Sequence, residues 1–198
     1  ENHEWVWPYR ETDRLGGHDP YSSSKACAEL ATVAYRQSFL VEAGIQLASV
    51  RAGNVIGGGD WATDRLIPDF LRAVDTGKSI NIRSPNAIRP WQHVLEPLSG
   101  YLLLAERLVV NGAEFTGAWN FGPNEADSKP VSWILDQLCQ KIPGATWVLD
   151  ESSQPNEAGV LKLDSVKAKT KLNWVPRWSL ETALDKTVEW HQLWKEGQ

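Results

Sequence analysis

The chain has 198 residues, 42% of them hydrophobic and 23% charged, which suits a globular protein with room for one sizeable domain or a domain and a half. A formal charge of -5 argues against a nucleic-acid surface, and no apolar run is long enough to cross a bilayer. His3, His18, His93 and His191 lack metal-ligand spacing, so no metal site is expected.

No signal-peptide pattern opens the chain, and a cytoplasmic protein is expected. Cys27 and Cys139 fall in helical, apolar stretches and are expected to be buried free thiols. There is no methionine, which suggests a piece of a longer product. The 11 tryptophans point to thick packing layers and ring-stacking sites.

Residues 1–18 read as a loop. Asp19 is a good helix N-cap and Pro20 suits the first helical position; the helix is expected to run to about Val41. Tyr21 and Lys25 then project from one face, one turn apart. An ammonium beside a phenol favours the phenolate, which can take a proton from an alcohol while hydride leaves the same carbon. Ile45 to Arg51 reads as a parallel strand buried on both faces.

The strand runs into Ala52-Gly53-Asn54-Val55-Ile56-Gly57-Gly58-Gly59-Asp60-Trp61, a glycine-rich turn where a ligand would sit in an open α/β sheet. Gly57 to Ala62 spells G-x-G-x-x-A, but its offset from the strand argues against a dinucleotide fingerprint. Leu66, Ile67, Phe70, Leu71 and Val74 have helical spacing, with Gly77 past the end. Arg65, at that helix's N-terminus, opposes the helix dipole and would be suited by a bound anion.

Strands follow at Ile80–Arg83 and Ile88–Val94, then a helix from Leu95 to Val110 with an apolar stripe of Leu98, Tyr101, Leu102, Ala105 and Leu108. Ala118–Phe121 is a strand, Val131–Lys141 a helix, and Thr146–Leu149 and Val160–Leu163 short strands. Asp164 is placed to cap a brief helix to Leu172. Ser179 is placed to cap the last one, whose apolar face includes Leu180, Ala183, Leu184, Thr187, Val188 and Trp190.

Tyr21/Lys25 resembles the Tyr-x-x-x-Lys of the short-chain dehydrogenase/reductase superfamily. Four further stretches are similar to its extended, nucleotide-sugar-modifying members: Arg51-Ala52-Gly53-Asn54-Val55-Ile56-Gly57, Arg89-Pro90-Trp91-Gln92-His93-Val94, Trp119-Asn120-Phe121-Gly122, and Lys171 through Pro176 with Ser179-Leu180-Glu181. The resemblance covers nearly the whole chain. It implies an α/β fold: the second part of an NAD-binding Rossmann-type parallel sheet with a smaller mixed α/β nucleotide-sugar-binding domain. Residues 1–53 and 86–121 would belong to the dinucleotide-binding domain, and 54–85 and 122–198 to the nucleotide-sugar-binding domain.

The same resemblance implies NAD as cofactor, with Tyr21 and Lys25 both catalytic and cofactor-binding. Asn54, Arg65, Leu66, Arg89 and Asn120 are the implied nucleotide-sugar contacts. Residues 4–11, 51–65 and 87–100 are similar to members that dehydrate CDP-glucose rather than dTDP-glucose, which implies a lyase of deoxysugar and O-antigen biosynthesis. The family's glycine-rich NAD turn and its elimination acid/base residues would precede residue 1, so residues 1–198 alone are expected to be inactive and poorly stable. Asn156 stands where those members carry histidine. A homodimer is expected, paired through the Tyr21 helix on a face with Cys27, Leu30, Ala34 and Phe39. An epimerase or another nucleotide-sugar dehydratase would keep Tyr21 and Lys25, whereas a non-catalytic binding relative would tend to lose one of them.

Overall fold

The computed structural model describes residues 1–152 and 158–197; Asn156 lies outside them. Chain order gives α1 (Pro20–Tyr35), β1 (Ala48–Ala52), β2 (Asn54–Ile56), α2 (Leu66–Asp75), β3 (Ile80–Ile82), β4 (Ile88–His93) and α3 (Leu95–Phe115). After these come β5 (Gly117–Phe121), β6 (Ser128–Pro130), α4 (Val131–Lys141), β7 (Trp147–Leu149), α5 (Val166–Lys171) and α6 (Leu180–Lys195). The fold is α/β with parallel pairing: β1 runs beside β5, β2 beside β4 and β3 beside β7, and β6 adds antiparallel to β4.

Two apolar clusters organise these layers. The larger packs α2, α4 and α6 against β2, β3 and β4 through Phe70, Ile134, Leu135, Leu138 and Leu184. These residues recur at helical spacing, so one stripe of each amphipathic helix faces inward. The second gathers Leu104, Phe115, Trp119, Phe121, Ala168, Leu172 and Trp174. Its centre is a close approach: a Cβ on Gly100 would meet the Phe121 ring at 2.3 Å, so α3 can lie on β5 only with glycine there. Trp174 meets Phe121 edge-on at 5.0 Å and donates from Nε1 to Ser99 Oγ at 3.0 Å.

Helix starts follow local chemistry. Asp19 accepts from the Ser22 backbone N–H at 2.9 Å, and Ser179 Oγ accepts from that of Thr182 at 3.3 Å, so both caps form where expected. Asp164 caps one position off: the α5 cap residue is Ser165, and Asp164 Oδ1 accepts from the Val166 N–H at 2.7 Å.

Several expectations are corrected. The first helix is α-helical only to Tyr35, then widens into a π turn over Arg36–Leu40. The strand after it starts at Ala48, leaving Ile45 outside it, and within residues 1–198 Val50 on this strand is exposed. The start of the expected glycine-rich turn is strand β2, because Asn54–Ile56 finds a parallel partner in β4. The stripe on α3 is rotated: Pro97, Gly100 and Leu104 are buried while Leu102 is 75% exposed. That helix reaches Phe115, with a break at Asn111. Residues 160–163 make isolated bridges, Val160 to Ile88 and Leu163 to Tyr9, rather than a strand. Cys27 is exposed and Cys139 half-buried. Among the described residues, no helix is long and apolar enough to cross a membrane.

Candidate active site

A cleft of about 760 Å³ opens beyond the carboxyl ends of β1, β2 and β3, where parallel sheets present ligand sites. Of the residues singled out in the sequence, Tyr21, Asn54, Arg65, Leu66 and Arg89 line it. Tyr21 stands at the first turn of α1 and is 72% exposed. Lys25, one turn on, is not among the lining residues; its ammonium lies 5.3 Å from the Tyr21 ring centroid. The pair thus sits on one helix face, as its spacing requires.

What fixes α1 against the sheet is an ion pair that sequence reading missed. Glu29, one turn beyond Lys25, accepts from Arg51 Nε at 2.9 Å and from Ser49 Oγ at 2.9 Å. Both donors are on β1. The Arg51 hydrogen bond holds the Glu29 carboxyl below the usual 4.5. Arg51 also reaches the Glu11 carbonyl at 3.4 Å. The arginine that opens the Arg51–Gly57 stretch therefore ties Tyr21's helix to the strand leading into the cleft. The missed signal was the eight-residue spacing from Tyr21 to Glu29, which places them on one face.

Asn120 is not in the cleft lining. It is 1% exposed, and its Nδ2 donates to the carbonyls of Tyr9 at 3.0 Å and Asp164 at 3.2 Å. Its backbone N–H donates to Glu11 Oε1 at 2.8 Å. The geometry gives it a tethering task, holding the N-terminal loop and the start of α5 at the end of β5. Gln92 does similar work, donating from Nε2 to the Phe121 carbonyl at 2.7 Å. His93 Nδ1 accepts from the Leu95 N–H at 3.3 Å, and burial lowers the imidazole's affinity for a second proton.

Arginines shape the cleft's charge. Arg65 pairs with Asp60 at 3.1 Å, so the cation at the start of α2 has a partner within its own loop. Arg89 lines the cleft and donates to its neighbour Ile88's carbonyl at 2.9 Å. Arg83, not singled out in the sequence, also lines the cleft just past β3. Its place at a strand's carboxyl end was the legible signal. Among the described residues, no group of three or more His, Cys, Asp or Glu side chains could hold a metal ion.

The family model described as GDP-mannose 4,6 dehydratase matches residues 5–187. The chain belongs to that family. It is 53% identical to the CDP-glucose 4,6-dehydratase of Salmonella typhimurium, over all of this chain and 57% of that protein. It is 25% identical to the dTDP-glucose 4,6-dehydratase of Escherichia coli, over 95% of this chain and 52% of that protein. The chain thus spans little more than half the length of these dehydratase relatives.

Solved structures of the same fold include UDP-glucuronic acid 4-epimerase from Bacillus cereus in complex with UDP-glucuronic acid and NAD. Its TM-score is 0.81 at 20% identity, covering 96% of this chain and 58% of that one. Another is dTDP-glucose 4,6-dehydratase from Bacillus anthracis in complex with NAD, with TM-score 0.75 at 22% identity, covering 96% and 58%. At these identities the likeness fixes the α/β fold of this dehydratase-family chain and nothing finer.

Proposed function

We propose that this chain is part of an NAD-dependent hydro-lyase that converts CDP-D-glucose to CDP-4-keto-6-deoxy-D-glucose. The observation that carries the reading is 53% identity to a CDP-glucose 4,6-dehydratase along the full chain. Support from the site is the Tyr21/Lys25 pair at the rim of a cleft with three arginines, Arg65, Arg83 and Arg89.

The donor set fits the nicotinamide riboside end of the cofactor. Lys25 offers three N–H donors and Tyr21 a hydroxyl, side by side on one exposed face. A bound nicotinamide supplies the hydride acceptor for oxidation at C4 and the donor for reduction at C6. Tyr21 Oη takes the proton of the sugar's C4 hydroxyl, with the Lys25 ammonium one helical turn away on the same face. The resulting C4 ketone acidifies the C5 proton, the C5 proton and C6 hydroxyl leave as water, and C5 regains a proton as C6 is reduced. Arg65 and Arg89 hold the diphosphate through their planar forks. Asn54 and Leu66 bound the sugar and nucleotide in the cleft, while Asn120 tethers the N-terminal loop and the start of α5.

The division proposed is 1–53 and 86–121 as the cofactor side and 54–85 and 122–198 as the nucleotide-sugar side; Trp91 of β4 packs with the larger, nucleotide-sugar-side cluster, so β4 is shared between them. Residues 168–174 pack with the cofactor-side cluster, so the boundary is shared there. The exposed Leu30 and Phe39 on and just after α1 support pairing of two copies through this helix. A cytoplasmic setting in deoxysugar biosynthesis, including O-antigen sugars, follows from the same reading.

The test is Tyr21→Phe in the natural full-length protein. Turnover of CDP-glucose should fall about 10²–10⁴-fold while calorimetric binding of CDP-glucose is kept. Turnover within twofold of the parent overturns the assignment of Tyr21.

A further inference from the structure

The loop between β2 and α2 forms one wall of the cleft through Gly57, Asp60, Asp64 and Arg65. It opens with three consecutive glycines, which have the largest conformational entropy to lose on ordering. Something outside the loop must therefore hold it. Gly58 lies flat on the Trp190 indole of α6: a Cβ there would meet Trp190 Cδ2 at 2.1 Å. Gly59 turns the chain at φ +77°.

Trp61 then reaches back to the same helix. Its ring centroid is 4.5 Å from that of Trp194 and 6.0 Å from that of Trp190. Trp190 and Trp194, one helical turn apart, are parallel to within 6°. On the loop's other side, Arg72 donates to the carbonyls of Trp61 at 3.0 Å and Ala62 at 3.1 Å. Asp60 accepts from the Ala62 N–H at 3.1 Å and pairs with Arg65. A continuous set of contacts thus runs from α6 through Trp61 to the cleft's Asp60–Arg65 pair. None of the three tryptophans lines the cleft.

We infer that Trp61, Trp190 and Trp194 form an aromatic clamp that positions the Gly57–Arg65 wall for nucleotide-sugar binding. They are positioning residues, acting through Arg65 and its neighbours. The inference rests on the reading of the cleft as a nucleotide-sugar site. The three residues are 47%, 38% and 46% exposed, too open to be the main support of the core, so loosening them should act on binding more than on folding. Catalysis at Tyr21 is insulated, because α1 is tied separately through Glu29 and Arg51.

In the natural full-length protein, Trp61→Ala and Trp190→Ala should each raise the Kd for CDP-glucose about tenfold, near the lower end of what losing one hydrogen bond to a charged group costs. The turnover number at saturation should change less than threefold. Trp61→Phe should keep most of the affinity, and the Trp61→Ala/Trp190→Ala pair should be no weaker than the worse single variant. Should Trp61→Ala not fold, Gly58→Ala displaces the Trp190 indole with Trp61 intact and should raise Kd similarly. Backbone amides of residues 58–64 should exchange faster in Trp190→Ala. Unchanged Kd in both single variants, or additive losses in the pair, overturns the clamp. If the parent itself does not bind CDP-glucose, the functional reading fails, and amide exchange alone decides the clamp: unchanged protection of residues 58–64 in Trp190→Ala overturns it.

Discussion

Phe70, Ile134, Leu135, Leu138 and Leu184, in the layer of α2, α4 and α6, have no exposed surface. Along α1, by contrast, no residue is buried, and Leu30, Tyr35, Phe39 and Val50 stand open on α1, the π turn and β1. The first region is held by apolar area removed from water, the second by polar ties: the Asp19 cap and the Glu29–Arg51–Ser49 contacts. Tyr21 and Lys25 belong to the second. Within residues 1–198 the proposed chemistry therefore sits on a helix held by polar contacts rather than by buried apolar area.

The largest test of this contrast is in the core. Phe70→Ala should destabilise by about 3–5 kcal/mol, because it removes a fully buried ring and leaves a cavity; chemical denaturation measures it. A loss below about 1 kcal/mol would mean that the α2–α4–α6 layer is not the main support.

The polar ties should cost less. Glu29→Gln removes the charge that Arg51 and Ser49 bind and should cost about 1–2 kcal/mol, the lower part of the range for hydrogen bonds to charged groups because the pair is part-exposed. The loss should fall on α1, read as faster amide exchange over residues 22–35 with the α4 and α6 amides unaffected. The pH dependence has a definite sign. The Glu29 carboxyl is held below its usual 4.5 in the folded protein, so its stabilisation is present above that value and is lost as pH falls through the lowered folded value. Protection of α1 should therefore decline below about pH 4.5 before that of α6, and Glu29→Gln should flatten the decline. Equal loss in both helices would dissolve the distinction between the regions.

The smallest effect on stability should come from Arg65. Its pair with Asp60 is exposed, and removing such pairs changes stability by about 1 kcal/mol or less. Arg65→Ala should leave the thermal midpoint nearly in place while weakening CDP-glucose by about 1.5–3 kcal/mol in calorimetry. Unchanged affinity would remove Arg65 from the phosphate site.

The positions of α1, α2, α4 and α6 were legible in the sequence because their signals are local. Asp19, Pro20 and Ser179 mark starts, Gly77 marks a stop, and apolar residues recur at helical spacing between them. The Tyr21/Lys25 face followed from the same helical geometry, and Asn54, Arg65, Leu66 and Arg89 followed from the motifs around them. Only the tertiary structure decided which face of α3 is inside: Leu102 and Leu104 are chemically alike, and the Gly100–Phe121 contact selects Leu104. It likewise made Asn54–Ile56 a strand by giving it β4 as a partner, left Cys27 exposed, and buried Asn120 outside the cleft lining. Glu29–Arg51 and Trp61–Trp190 join residues 22 and 129 positions apart. No local pattern encodes such pairings, because they exist only once the packing of the helices and sheets brings their side chains together.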